Sequence, residues 1–296
     1  MLDAAIPVKR PGLARRLFNA LRLPLNDPFA VFGLAIYAIF LLTAIFADQI
    51  APYDPTEILY TPDYDLAADL GPGEDGYILG TTSLGRDVFS QIVYGTRSAL
   101  LIGVTAAFMV ALIGSIVGLV SGYFGGWVDA VLMRLADVAF GIPFLPFVIV
   151  LAAFLEPSIW NVVLAMALVL WRDTGRVIRS QVLTLRSRGY VDAARVSGSS
   201  DFKIILRHIA PNILPLSFLY GSIAIGWAIL TEAALSYLGL GIQPPLASWG
   251  NMLQNAQGYL WRAPVLAVWP GLFIAVTVLS FNLLGNALRD VLDPRA

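Results

Sequence analysis

The chain has no cysteine and a single histidine, His208. Disulfides and thiolate metal sites are therefore excluded, and cysteine usage leaves no record of the redox compartment. A lone histidine between Arg207 and Ile209 reads as structural rather than as a metal ligand or catalytic base. Charge is also scarce: 13% of the 296 residues are charged and the net charge is −1. That balance offers no basic field for nucleic acid. The sequence contains no G-x-x-x-x-G-K-[ST] loop to cradle nucleotide phosphates, no H-E-x-x-H and no G-x-S-x-G. A literal G-x-G-x-x-G occurs at Gly71–Gly76, "GPGEDG". Its two acids would repel a phosphate and no strand or helix flanks it, so it reads as a turn-rich loop. No cofactor site and no catalytic residue is expected in this chain.

Apolar residues are abundant. They make up 58% of the chain, and the mean hydropathy is +0.75. A soluble domain of that composition would lack the polar surface to stay dissolved, so an all-α polytopic membrane protein in contact with lipid is expected. A bilayer core of about 30 Å requires roughly 20 mainly apolar residues per helix. Six stretches meet or approach this: Phe29–Phe46, Ala99–Phe124, Leu132–Leu155, Ile159–Trp171, Asn212–Leu240 and Pro264–Leu284. The fourth is short, and Thr174 to Val182 could extend it past the membrane surface. Pro143 and Pro146 predict a bend in the third. The basic cluster Lys9, Arg10, Arg15, Arg16 and Arg22 precedes a run long enough to span, which indicates an uncleaved first helix rather than a signal peptide.

Basic residues concentrate in the terminal segments, beside the third span at Arg134, and between Arg172 and Arg207. The opposite side carries Arg86, Arg97 and Arg262 among many acids, including Asp48, Asp54, Glu57, Asp63, Asp65, Asp69, Glu74 and Asp75. The positive-inside rule then predicts cytoplasmic termini, with residues 47–98 and 241–263 outside. Residues 1–28 form a cytoplasmic lead-in, residues 29–296 one membrane domain, and residues 172–211 a cytoplasmic loop. Residues 47–98 read as an irregular outer cap.

Gly114, Gly118 and Gly122 recur at i, i+4 and i+8, which puts small residues on one helix face. That face suits a tight contact within this subunit or with a partner subunit. Arg134 and Asp137 stand at i, i+3 and can pair, which lowers the cost of burying either in lipid. Glu232 has no partner within one turn of sequence. It should face a cavity or the bundle interior, either lining a solute route together with Asp137 or holding packing through hydrogen bonds.

The most patterned segment is "YVDAARVSGSSDFKIILRHIAPNILP", Tyr190 to Pro215. Tyr190–Val196 predicts a short helix in which Ala193 and Ala194 offer a small, approachable surface. Gly198 fits the left-handed residue that ends such a helix. Ser199 or Ser200 is placed to cap a second helix. In that helix Phe202, Ile205, Leu206 and Ile209 form an apolar stripe, with Lys203 and Arg207 opposite, and Pro211 interrupts it at the fifth span. A helix–turn–helix along the membrane face suits docking as well as an amphipathic linker.

This segment resembles the EAA loop of permease subunits of binding-protein-dependent ABC importers, through Asp192-Ala193-Ala194, Gly198 and Pro211. It departs from that pattern in having Asp192 for the usual Glu and Ser197 for a bulky apolar residue. "LGTTSLGRDVFSQIVYGTRSAL" is similar to a segment of the C-type permease of dipeptide and oligopeptide importers, with Thr82 replacing the expected Asp. "FADQIAPYDP", "GGWVDAVLMRLAD", "RHIAPNILP" and "TEAALSYLGLGIQPPLASWGNML" are similar to the same subfamily, in the same order. The resemblance runs from about Asn26 to Leu292. It implies the type I permease fold in the inner membrane of a prokaryote, pairing with a second homologous permease subunit. It also implies two ATPase subunits that carry ATP and magnesium, and an extracytoplasmic solute-binding protein. The coupling residues it implies are Tyr190, Asp192, Ala193, Ala194, Gly198, Ser199, Arg207 and Pro211. Peptides are the implied solute, with nickel, opine-like solutes or short sugars as alternatives. A membrane enzyme would need a nucleophile, metal box or paired carboxylates in its spans, and a passive channel or secondary carrier would need no docking loop.

Overall fold

The computed structural model describes residues 28–155 and 158–292. The N-terminal basic cluster predicted to lie in the cytoplasm falls outside the described residues. The first helices are α1 (Pro28–Ile45) and α2 (Ala47–Ile50), followed by the irregular segment expected to lie outside. Next come α3 (Val88–Phe124), α4 (Gly126–Gly141), α5 (Phe144–Phe154) and α6 (Ile159–Arg186). The chain continues through α7 (Gly189–Val196), α8 (Asp201–Ile204), a π turn (Ile205–Ile209) and α9 (Ala210–Tyr237), and finishes with α10 (Trp249–Ala256) and α11 (Val265–Leu292).

The predicted stretches lie on helical segments, the third divided between α4 and α5. Among the described residues, three helices are long and apolar enough to cross a membrane, Val88–Phe124, Asp201–Tyr237 and Val265–Gly285, and the bent pair Gly126–Gly141 and Phe144–Ala152 makes a fourth if it is one span. The expected bend lies between α4 and α5, whose axes differ by 84°. Its cause is local. Pro143 forces Ile142 out of the helical region, and Ile142 is extended at φ −82°, ψ 115°. Helix starts carry caps: Asp87 accepts the Ser90 N–H at 2.7 Å, Ser158 that of Trp160, and Ser248 that of Gly250.

α3 and α6 pack along the glycine face. Cβ atoms placed on Gly114, Gly118 and Gly122 would lie 2.7 Å from Thr174 Cβ, 2.5 Å from the Gly175 carbonyl oxygen and 2.8 Å from Val182 Cβ. The close contact is therefore made within this subunit. Near the start of α3, Trp249 of α10 is buried against Phe40 and Phe273 and donates to the Ile92 carbonyl at 3.1 Å. The irregular segment after α2 has its own small core of Leu59, Ala67 and Tyr77. Its "GPGEDG" loop closes on itself, with the Gly71 N–H donating to the Glu74 carboxylate at 2.7 Å.

Candidate functional site: an exposed helix bolted to the bundle

α7 presents most of its surface to the outside. Val191 alone is buried; Tyr190, Asp192, Ala193 and Arg195 are exposed, and Val196 is 90% exposed. The helix ends through two interlocking backbone bonds: Gly198 N–H to the Arg195 carbonyl at 2.9 Å, and Ser199 N–H to that of Ala194 at 3.0 Å. Gly198 has φ +76°, the left-handed conformation this ending requires. A Cβ on Gly198 would meet no atom of the chain within 4 Å. Ser200, not Ser199, occupies the N-cap position of α8, and its hydroxyl makes no capping bond.

The predicted stripe on the second helix needs correction. Phe202 is 72% exposed and Leu206 53%, whereas Ile204, Ile205, Ile209 and Ile213 are buried. The π turn holds extra residues per turn, so the 3.6-residue register expected for this segment does not apply. Nor does Pro211 interrupt the helix. It sits in the first turn of α9, where an N–H is not needed, directly after the π turn, and the helix runs on. Arg207 is exposed on that turn, and His208 lies beside Tyr190 with ring centroids 6.4 Å apart. Among the described residues, no group of three or more His, Asp and Glu side chains could hold a metal ion.

Val191 and the four isoleucines share one core with Tyr123, Ile178 and Val182 of α3 and α6. Polar contacts reinforce the joint. Arg186 donates to the Gly122 and Tyr123 carbonyls at 3.3 and 2.9 Å, which satisfies acceptors left open at the end of α3. Asp192 pairs with Arg195 at 3.2 Å within α7. Both partners are exposed, so this pair contributes little to stability.

The two carboxylates singled out in the spans are both engaged. Asp137 binds Arg176 at 2.6 Å, and Arg134 stands at 3.9 Å. The main partner of Asp137 is thus on α6 and not one turn away. Arg179 grips Asp129 with two bonds of 2.5 Å, and Arg172 donates to the Ala139 carbonyl. Arg172, Arg176 and Arg179 therefore fasten the bent helix α4 to α6. Their helical spacing in "WRDTGRVIRS" is a signal that could have been followed. Glu232 is 1% exposed and accepts from the Ser236 and Ser248 hydroxyls at 2.7 and 2.8 Å. Ser236 is one turn away, so Glu232 does have a partner within its own helix. It ties α9 to the cap of α10. An apolar groove of about 380 Å³ between α3 and α9 is lined by Phe108, Ser115, Ser217 and Phe218 among others. Neither Asp137 nor Glu232 borders it.

Residues 114–296 match the family described as binding-protein-dependent transport system inner membrane component. Residues 20–72 match the N-terminal TM domain of oligopeptide transport permease C. The glutathione transport system permease protein GsiD of Pectobacterium atrosepticum is 38% identical over 99% of this chain and 96% of its own length. The oligopeptide transport system permease protein OppC of Bacillus subtilis is 38% identical over 91% and 87%. The dipeptide transport system permease protein DppC of Alkalihalophilus pseudofirmus is 36% identical over 95% and 90%. Among solved structures, the inward-facing MetNI methionine ABC transporter aligns with a TM-score of 0.57 at 16% identity, covering 69% of this chain and 97% of that one. At that identity the likeness concerns the fold alone.

Proposed function

The chain belongs to the family of binding-protein-dependent transport system inner membrane components, and from that premise we propose that it forms the membrane path by which an ATP-driven importer takes up peptides, with α7 as the element its ATPase grips. It is a multi-pass permease subunit of the inner membrane, in a type of importer that works with an ATPase and a binding protein. The chain crosses the membrane six times, with both termini in the cytoplasm and residues 47–98 and 241–263 outside. It pairs with a second homologous permease subunit, and two ATPase subunits bind ATP and magnesium. The chain itself carries no cofactor. Di- and oligopeptides, glutathione among them, are the solutes favoured by the relatives' names.

The observation that carries this proposal is the exposed α7 with its left-handed stop at Gly198, joined through a buried isoleucine core to α3 and α6. A short, small-residue helix that is open outward and rigid inward can be moved as one body. ATP binding closes the ATPase pair, the grooves on that pair carry α7 and its counterpart, and the spans rock between inward-open and outward-open states. Work passes only because the contacts differ in free energy between the two states.

The test is co-purification. The chain is tagged and expressed with the products of its neighbouring genes. An ATPase should come down with it, and hydrolysis should rise when the binding protein is added. Uptake that persists without any ATPase would overturn the proposal. Identifying the ligand held by that binding protein decides the solute class.

A further inference from the structure

We propose that Tyr123 is a positioning residue that carries the movement of α7 directly into α3. The inference rests on the coupling role of α7 given above. Ser187 and Arg188 join α7 to α6, and Val191 enters the isoleucine core; beyond these, two routes lead from α7 towards α3 and α9. The forward covalent route passes Gly198, then α8, then the π turn at Ile205–Ile209 before it reaches α9. A left-handed glycine and a π turn are the least regular backbone in that path, and each can absorb motion.

The second route avoids the π turn, and through Arg195 it avoids Gly198 as well. Tyr123 is the penultimate residue of α3, and its ring is 5% exposed within the isoleucine core. Its hydroxyl donates to the Asp201 carboxylate at 2.5 Å, a charge-assisted bond across 78 residues of sequence. The Arg195 guanidinium of α7 lies over the same ring at 5.7 Å, within cation–π range. Arg195 is held in turn by Asp192 at 3.2 Å. Asp192 thus orients Arg195, Arg195 covers Tyr123, and Tyr123 fastens the start of α8. One side chain at the end of α3 touches both arms of the helical hairpin.

α3 is suited to pass that motion on. It is unbroken for 37 residues, about 55 Å at 1.5 Å per residue. Its outer end is fixed by the Asp87 cap, by Trp249 on the Ile92 carbonyl, and by Arg97, which bonds Asp48 and the Ala44 carbonyl. A displacement applied at Tyr123 therefore tilts a rod whose far end holds α10 and the outer cap.

The experiment uses the complete transporter in liposomes, with ATP hydrolysis measured with and without the binding protein. Basal hydrolysis reports docking of the ATPase, and the stimulation factor reports transmission through the chain. Tyr123→Phe keeps the ring under Arg195 and removes the donor. Its basal rate and co-purification should match the native complex, while stimulation falls about tenfold, the factor that loss of one charge-assisted bond carries. Asp201→Asn retains an acceptor and should stay within about twofold of native, whereas Asp201→Ala should behave as Tyr123→Phe. Asp201 is exposed, so the Asp201 pair tests the bond without removing core volume. Native stimulation in Tyr123→Phe or Asp201→Ala overturns the linkage. A native complex in which no ATPase co-purifies overturns the coupling role of α7 itself, and the linkage with it.

Discussion

Gly198 allows the backbone requirement and the docking requirement to be separated. Its φ of +76° places it in the left-handed region, where a residue with a Cβ loses about 1–2 kcal/mol. That cost is nearly the same for Ala and Leu, because a Cβ there meets nothing in the chain within 4 Å. Gly198→Ala and Gly198→Leu should therefore lower the melting temperature of the detergent-solubilised chain by the same small amount. Asn tolerates the left-handed conformation, so Gly198→Asn should cost least. Against a groove that fits α7 closely, the leucine side chain adds overpacking of about 1–3 kcal/mol. That corresponds to a loss of ATPase affinity of about 5- to 150-fold beyond Ala. Titrating purified ATPase onto the chain, and following stimulated hydrolysis, reads this difference directly. If Leu and Ala bind the ATPase equally, the surface around Gly198 is not gripped and the role given to α7 is wrong.

Gly118→Leu should destabilise the chain without any partner, because a Cβ there would lie 2.5 Å from the Gly175 carbonyl oxygen and 2.8 Å from Ile178 Cβ. A loss of about 1–3 kcal/mol is expected in detergent melting, and an unchanged transition would refute the α3–α6 contact. Glu232→Gln keeps an acceptor for Ser236 and Ser248 and should be mild. Glu232→Leu strands both buried hydroxyls and should cost about 2–4 kcal/mol, and equal melting of the two variants would contradict the clamp. The Arg97 guanidinium, with the Tyr94 hydroxyl, holds the Asp48 carboxyl below the ordinary carboxylate range. A lowered folded value means that this contribution is complete above the ordinary value of about 3.9 and is lost as pH falls through the folded value. Acid melting curves of the native chain and Asp48→Asn should therefore converge at low pH, and curves that stay parallel would show no linkage.

The helical ending at Gly198 was legible in sequence because few residues other than glycine adopt that backbone, and "VSGSS" leaves no other stop nearby. The bend at Pro143 was legible for a similarly local reason. The apolar stripe was misassigned at Phe202 and Leu206 because a π turn changes the angular spacing and leaves no mark in residue type. The partner of Asp137 is Arg176, 39 residues on, and one of the two donors to Glu232 is Ser248 on another helix. Such contacts depend on how helices are brought together, and periodicity within one helix carries no information about that. The glycine face at Gly114, Gly118 and Gly122 was plain, but its occupant was not, since small residues admit any close neighbour.

The arginines that fasten α4 to α6 also bear on how lipid surrounds the chain. The uncharged part of α6 ends at Trp171, giving 13 residues from Ile159, or about 20 Å, against a hydrocarbon core of about 30 Å. On the flank of α3 the run is far longer. The hydrophobic belt is therefore uneven around the circumference, and the bilayer must thin, or the bundle tilt, on the α4–α6 side. Membrane thickness then acts on the side of the bundle that carries α7, so acyl-chain length becomes a variable of transport in its own right.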